Sequence, residues 1–121
     1  MNSIRIVVPV DPQKTSPNKR MHWGQLARAK QAARQAAHLS WIAAGKPRMG
    51  KSVLVTVVIR RGRSIDPDNA LAACKPLIDG LFNAAITPQD TEAWIKGYTV
   101  RQEVGRSYKY APEVEFLVEP A

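Results

Sequence analysis

The chain has 121 residues, 45% of them hydrophobic, which fits a single folded domain and excludes a disordered chain. A single cysteine, Cys74, excludes an intrachain disulfide and a cysteine-based zinc cluster, and it favours a reducing compartment, for which we expect the cytoplasm. The first residues lack a signal-peptide pattern and no run of about 18 apolar residues occurs, so we expect no membrane span.

The net charge of +8 is distributed unevenly along the chain. Residues 1–65 contain 13 lysines and arginines but one acidic residue, Asp11, whereas residues 66–121 contain five basic and nine acidic residues. A strongly basic half favours a polyanionic partner such as nucleic acid. Plain solubility and an anionic membrane surface are the alternatives.

The first half of the chain predicts a strand, a loop, a long helix and a second strand. Residues 3–8 alternate between apolar and polar side chains, which predicts a strand. Prolines punctuate residues 11–20 and indicate a loop. Residues 22–44 are rich in alanine and carry an apolar stripe, which predicts a helix. The β-branched residues 52–60 indicate a central strand that is buried on both faces.

The second half predicts further helix followed by two strands. Asp66 suits the N-cap and Pro67 the first position of a helical segment, residues 67–85, in which Pro76 predicts a kink or two short helices. The remaining segments are a turn and two alternating strands predicted to pair as a hairpin, residues 86–92, 93–104 and 113–118. The order β-α-β-α-β-β predicts one α+β domain, residues 1–121, with a mixed sheet flanked by helices.

Three aspartates form a candidate metal site. Asp66 and Asp68 lie at a strand-to-helix junction, and Asp90 lies in the loop before a strand that, as a neighbour of residues 52–60, would bring it close. Clustered carboxylates repel one another unless a cation neutralises them, and Mg²⁺ prefers such oxygen ligands. A site of this kind can cleave phosphodiesters. Helix capping, dipole complementation and turn formation are the alternative roles of the three residues.

Basic residues surround these acids. Lys75 follows Asp68 by two helical turns and is a candidate for contacting the scissile phosphate, with a surface ion pair to Asp79 as the alternative. For Asn18 and His22, hydrogen bonding at a helix end is also open. The candidate DNA contacts are Lys14, Asn18, Lys19, Arg20, His22, Arg60, Arg61 and Arg63. Trp23 and Trp41 fit core or dimer packing better than base stacking, and Cys74 fits a packed helix residue.

At these positions the sequence resembles the RusA family of Holliday junction resolvases. The matching segments are Ser16-Pro-Asn18-Lys-Arg-Met-His22-Trp23, Arg63-Ser-Ile-Asp66-Pro-Asp68-Asn69, Lys75-Pro-Leu-Ile-Asp79-Gly-Leu and Ile86-Thr-Pro-Gln-Asp90. Together these segments cover most of the chain in the order found in the family. The chain departs from the family pattern at two points. The lysine often comes earlier in the family, where this chain has Ala72. The family also often has a pair of acids where this chain has Gln89-Asp90, so Glu92 is a further candidate ligand.

The resemblance implies a bacterial or phage-encoded homodimer that resolves four-way DNA junctions by paired symmetric nicks in recombination and repair. It implies Mg²⁺, with Mn²⁺ as a possible substitute, held by Asp66, Asp68 and Asp90. It also implies that Lys75 is the essential lysine and that no organic cofactor is needed. A non-catalytic nucleic-acid-binding protein and a general branched-DNA or flap nuclease are the alternative functions.

Overall fold

The computed structural model describes residues 3–15 and 22–121. The predicted α+β class is confirmed, because a single mixed four-stranded sheet packs against helices. The helices and strands are β1 Ile4–Val8, α1 Trp23–Ala43, β2 Val53–Arg61, α2 Pro67–Ala73, α3 Lys75–Phe82, β3 Ile95–Val104 and β4 Glu113–Pro120, with short 3-10 helices at Pro12–Thr15 and Arg106–Tyr108. No helix in the described ranges is both long and apolar enough to cross a membrane.

The sheet has the order β1-β4-β2-β3. Strand β2 is central, as predicted, but the prediction that both of its faces are buried is wrong, because Leu54 on the outer face is 48% exposed. The strand runs parallel to β3, with Val53 opposite Ile95 at one end and Arg61 opposite Val104 at the other. Strand β4 is antiparallel to both β1 and β2. The predicted hairpin between the last two strands is therefore wrong, because β2 separates them. Because a helical crossover joins β2 to β3, the two strands run parallel on one side of β2. Strand β4 then pairs with β2 on its other side.

The helical segment after β2 is divided, as the sequence predicts. Helices α2 and α3 meet at Cys74, and Pro76 lies in the first turn of α3. The N–H groups of a first turn have no partner within the helix, so the N–H that proline lacks is not needed there. Cys74 is fully buried, so its prediction as a packed residue is confirmed, and burial raises the pKa of its thiol to about 12. A thiol that stays protonated at neutral pH is a poor nucleophile.

The core lies between the helices and one face of the sheet. Alternate residues of β2, beginning with Val53, face this core together with Ala37 and Trp41 of α1. Trp41 is 3% exposed, which confirms its predicted core position. Trp23 is 78% exposed and begins α1, so the core position is wrong for Trp23, and dimer packing stays a prediction.

Helices α1 and α3 approach closely at Gly80. A Cβ atom placed on Gly80 would lie 2.6 Å from the carbonyl oxygen of Arg34 and 2.9 Å from the Cβ atom of Ala37. These distances are too short for any side chain, so the spacing of the two helices depends on the absence of one. Because α3 carries Lys75 and Asp79, this contact also positions part of the candidate site.

We expect Gly80→Ala to lower the free energy of unfolding by about 1 to 2 kcal/mol, because overpacking outweighs the better helix propensity of alanine. Urea unfolding measures this difference. Gly50→Ala is the control, since nothing lies within 4 Å of a Cβ atom at Gly50. Equal stability of Gly80→Ala and the wild type would contradict the close approach of α1 and α3.

Candidate active site at the start of helices α2 and α3

Two exposed carboxylates lie at the N-terminus of α2. Asp66 is the N-cap, and its side chain accepts a hydrogen bond of 3.1 Å from the backbone N–H of Asp68. Asp68 lies in the first turn, where its charge complements the helix dipole. The capping role is therefore present in the structure. Only the carboxylate of Asp66 takes part in this capping hydrogen bond. Within the described residues, neither Asp66 nor Asp68 forms an ion pair.

A glutamine on β3 fixes the peptide that precedes Asp66. The side-chain oxygen of Gln102 accepts a hydrogen bond of 2.6 Å from the N–H of Ile65, and its amide nitrogen donates one of 2.8 Å to the carbonyl of Ile65. The side chain of Ile65 is itself buried in the core. The sequence did not identify Gln102. Gln102 follows Tyr98 and Val100 at every second position of β3, on the partly buried face, and a polar residue at such a position indicates a buried polar contact.

A second cluster lies at the start of α3 and consists of Lys75, Asp79 and Asp90, which we call the lysine cluster. The Nζ atom of Lys75 lies 3.0 Å from Oδ2 of Asp90 and 3.6 Å from Oδ1 of Asp79. The predicted surface pairing of Lys75 with Asp79 is thus present, one helical turn apart. The lysine side chain is 56% exposed, so its ammonium group remains accessible to a ligand from solvent.

Charges within the lysine cluster perturb one another. Burial alone would lower the pKa of Lys75, but the hydrogen bond to Asp90 and the charges of both aspartates outweigh it and raise that pKa. Hydrogen bonds from Lys75 and Asp79 lower the pKa of Asp90. Burial and the hydrogen bond to Asp90 raise the pKa of Asp79. Asp90 is therefore the carboxylate that holds the negative charge most firmly, while Asp79 is the one more readily protonated.

Arg34 of α1 and Tyr98 of β3 also act on this cluster, and the Nε atom of Arg34 lies 3.8 Å from Oδ2 of Asp79. Tyr98 is half-buried, and burial raises the pKa of its hydroxyl. The positive charge of Lys75 lowers that pKa, and the negative charges of Asp90 and Asp79 raise it. Tyr98 was predicted only as a strand residue, so its position beside these charges was missed.

The structure does not gather Asp66, Asp68 and Asp90 into one preformed group. Within residues 3–15 and 22–121, no three His, Cys, Asp or Glu side chains are arranged so that they could hold a metal ion. The strands that flank the two sites are neighbours, as the sequence reasoning required, but they are parallel. Asp66 follows the end of β2 whereas Asp90 precedes the start of β3, and in a parallel pair these points lie at opposite ends of the strands.

Among the predicted DNA contacts, Arg60 is occupied by structural ion pairs. Its guanidinium group lies 2.7 Å from Glu103, 2.9 Å from Glu113 and 2.6 Å from Glu115, and its side chain is only 14% exposed. The hydrogen bond to Glu103 contributes most to a further rise in the pKa of Arg60. Arg60 therefore belongs to a charge network on the sheet, and the structure offers no free guanidinium there for a phosphate.

The other predicted contacts divide into four groups. The guanidinium group of Arg61 is held within the protein, because its Nε atom lies 2.8 Å from Asp11 and its Nη1 atom donates a hydrogen bond to the carbonyl of Arg63. His22 caps α1 through a 3.2 Å hydrogen bond from the N–H of Gly24, which is the predicted helix-end role. Lys14 and Arg63 are exposed. Asn18, Lys19 and Arg20 lie outside the described residues.

A comparison with known protein families finds no match to this chain, and a comparison with curated proteins finds none either. The residues and their geometry therefore carry the functional argument.

The charge network around Arg60 predicts a pH-dependent stability. Burial disfavours a charged Glu115, which is 2% exposed, but hydrogen bonds from Arg60 and Arg5 outweigh this and lower its pKa below the ordinary 4.5. The unfolded chain then binds a proton more readily than the folded one. The stabilisation by Glu115 is therefore fully present above about pH 4.5 and is lost as the pH falls through the lower folded value.

We expect Glu115→Gln to lower the free energy of unfolding at pH 7 by about 2 kcal/mol, the value of a hydrogen bond to a charged group. The difference from the wild type should shrink as the pH falls below 4.5, the ordinary pKa of this side chain. Chemical unfolding at several pH values measures both effects. Glu119→Gln, an exposed position on the same strand, is the control. A difference that stays constant between pH 3 and pH 7 would contradict the network, because linkage requires it to vary over that range.

Proposed function

We propose that this protein is a magnesium-dependent endodeoxyribonuclease that resolves four-way DNA junctions by paired symmetric nicks. The observation that carries the proposal is the pair of exposed carboxylates, Asp66 and Asp68, directly after the arginine-containing end of β2. Negative side chains next to an exposed cation such as Arg63 suit a site where a phosphate and a metal ion meet. The sequence resemblance to junction resolvases supports the same reaction.

The chemistry of the donor set fits a magnesium site built on α2. Mg²⁺ in phosphate-processing sites is usually held by one or two carboxylates, with waters and substrate phosphates completing its shell. Asp66 and Asp68 supply those carboxylates, and Mn²⁺ suits the same oxygen donors. Asp90 is paired with Lys75 and precedes β3 at the other end of the parallel strands, so its participation requires both that ion pair to open and the loop before β3 to move toward α2. When bound, the ion supplies Lewis-acid stabilisation of the developing phosphate charge.

The protein's own residues have distinct roles in this proposal. Gln102 holds the peptide before Asp66 and so fixes the position from which both carboxylates are presented. Lys75 presents an accessible ammonium group that can stabilise negative charge on the scissile phosphate. Asp90 and Asp79 keep that ammonium charged and restrict its position.

Asp68→Asn tests the proposed role of the carboxylate pair. We expect junction cleavage in Mg²⁺ to fall by about 100-fold or more, because a metal ligand and the stabilisation it supports are lost. Junction binding in EDTA should be unchanged or stronger, since a negative charge near phosphate is removed. Gel assays on synthetic four-way junctions, with both strands' cut positions mapped, provide the two readouts.

Glu119→Gln is the matched control for this test, because it removes one exposed carboxylate on the last strand of the sheet. It should cut and bind like the wild type. Undiminished cleavage by Asp68→Asn would overturn the role of α2 in catalysis. Equal cleavage of four-way, three-way and flapped DNA at one salt concentration would instead favour the general branched-DNA nuclease.

A non-catalytic DNA-binding protein is the second candidate function. Two observations favour it: Asp66 acts as a helix cap, and the described residues contain no preformed group of three metal ligands. In this alternative the basic surface binds DNA and the aspartates are structural. Wild-type protein that binds junctions tightly but leaves them intact in both Mg²⁺ and Mn²⁺ would support this candidate over the nuclease.

Paired symmetric nicks require two active sites, which a two-fold dimer supplies. We therefore expect a homodimer at the concentration at which junctions are resolved. Sedimentation velocity of the free protein and of its junction complex measures the oligomeric state. A strictly monomeric protein that still makes both nicks in one encounter would contradict the dimer.

A further inference from the structure

A cleft lies between the segment that leaves β2 and the segment that joins β3 to β4. It has a volume of about 480 Å³. We call it the basic cleft, because its lining combines four basic residues with one acidic residue. These five residues are Arg61, Arg63, Arg106, Lys109 and Asp11. The sequence predicted residues 105–112 only as the connection between the last two strands, and they lie in the acidic half of the chain.

The two walls of the basic cleft are held together by backbone contacts. The N–H of Gly105 donates a hydrogen bond of 3.1 Å to the carbonyl of Arg61. A Cβ atom on Gly62 would lie 3.1 Å from the Cα atom of Lys109, so the two segments touch without an intervening side chain. Strands β2 and β3 are parallel neighbours that end side by side, so the segments that leave them are fixed relative to each other. The basic cleft between these segments is therefore part of the folded structure.

The charges of the basic cleft are not balanced within the described residues. Asp11 is neutralised by Arg61 at 2.8 Å. The described ion pairs do not include Arg63, Arg106 or Lys109, and all three side chains are exposed. Three uncompensated cations on facing walls create a local positive potential that suits the phosphates of a nucleic-acid strand.

An exposed aromatic residue lies next to these cations. Tyr110 is 86% exposed, and the Nζ atom of Lys109 lies 5.4 Å from the centre of its ring. Tyr110 also lines the adjoining cavity that contains the predicted DNA contact Lys14. An exposed ring beside lysine ammonium groups is the arrangement on which unpaired bases stack in proteins that bind single strands.

We propose that the basic cleft binds one strand of the branched DNA beside the cleavage site. Arg63, Arg106 and Lys109 hold the phosphates, and Tyr110 stacks on a base that is unpaired at the branch point. The inference rests on the proposed function, because Arg63 precedes Asp66 by three residues and the same strand would pass from the basic cleft to the carboxylates. The inference adds residues 105–112 to the proposed DNA-binding surface, and it proposes that they bind a DNA strand that is unpaired at the branch point.

Arg106→Gln combined with Lys109→Gln tests the phosphate contacts in EDTA, where cleavage does not contribute. We expect junction affinity at 100 mM salt to fall about ten-fold, and the slope of log affinity against log salt to become shallower by about 2. The control is Lys51→Gln combined with Lys96→Gln, which removes the same charge at the opposite end of β2 and β3. It should change the slope by less than half as much.

Tyr110→Ala tests the stacking contact, and Tyr110→Phe is its matched control. We expect the alanine variant to bind single-stranded DNA and junctions about ten-fold more weakly, with little change for an unbranched duplex. The phenylalanine variant keeps the ring and should bind like the wild type. Equal losses for duplex and junction, or wild-type binding by Tyr110→Ala, would overturn the stacking role.

The outcomes separate this inference from the proposed nuclease function. If the wild type cuts junctions while both cleft variants bind like the wild type, the basic cleft is not a DNA site and the nuclease proposal survives. Wild-type protein that binds no DNA in EDTA or in Mg²⁺ overturns both proposals. Mononucleotide binding that is lost in Arg106→Gln combined with Lys109→Gln, together with junction binding that these substitutions leave unchanged, would assign the basic cleft to a free nucleotide and overturn the inference.

Discussion

The parallel pairing of β2 with β3 is the constraint on which the rest of the structure depends. A parallel neighbour cannot follow through a tight turn, so the chain must cross over the sheet, and α2 and α3 form that crossover. The crossover carries Asp66 at its start and Lys75 at its middle. Because the two strands also end side by side, at Arg61 and Val104, the segments that leave them meet and form the basic cleft.

The same constraint gives the aspartates different surroundings. Asp66 and Asp68 lie at the start of the crossover, exposed and without an ion pair in the described part of the chain. Asp90 lies before β3 and is held by Lys75. Negative charge that is not compensated from within the protein favours a cation from outside, whereas a carboxylate already paired with a lysine has less to gain from one. This difference is why the proposed metal site is centred on α2.

The tertiary structure also separates basic residues that form ion pairs within the protein from those that remain exposed, although each adds one positive charge to the chain. Arg60 is surrounded by three glutamates, and Arg61 is bound to Asp11, so both stabilise the fold. Arg106 and Lys109 come from the acidic half of the chain, yet they remain exposed on the basic cleft. Net charge along the sequence therefore does not tell which basic side chains are free to bind a ligand, because ion pairing depends on distant residues.

The sequence by itself determined the class of fold and the order of the main helices and strands, with their bounds within about three residues, because alternation, alanine content and proline positions act locally. It also indicated that Trp41 and Cys74 are buried and that Asp66 and His22 cap helices, since apolar stripes and N-cap chemistry depend on near neighbours, although the same stripe included the exposed Trp23. Only the tertiary structure decided that β4 pairs with β2, that Gln102 holds the peptide before Asp66, and that Asp90 binds Lys75. These contacts join residues far apart in the chain, and strand order and direction, which set them, leave no local signal.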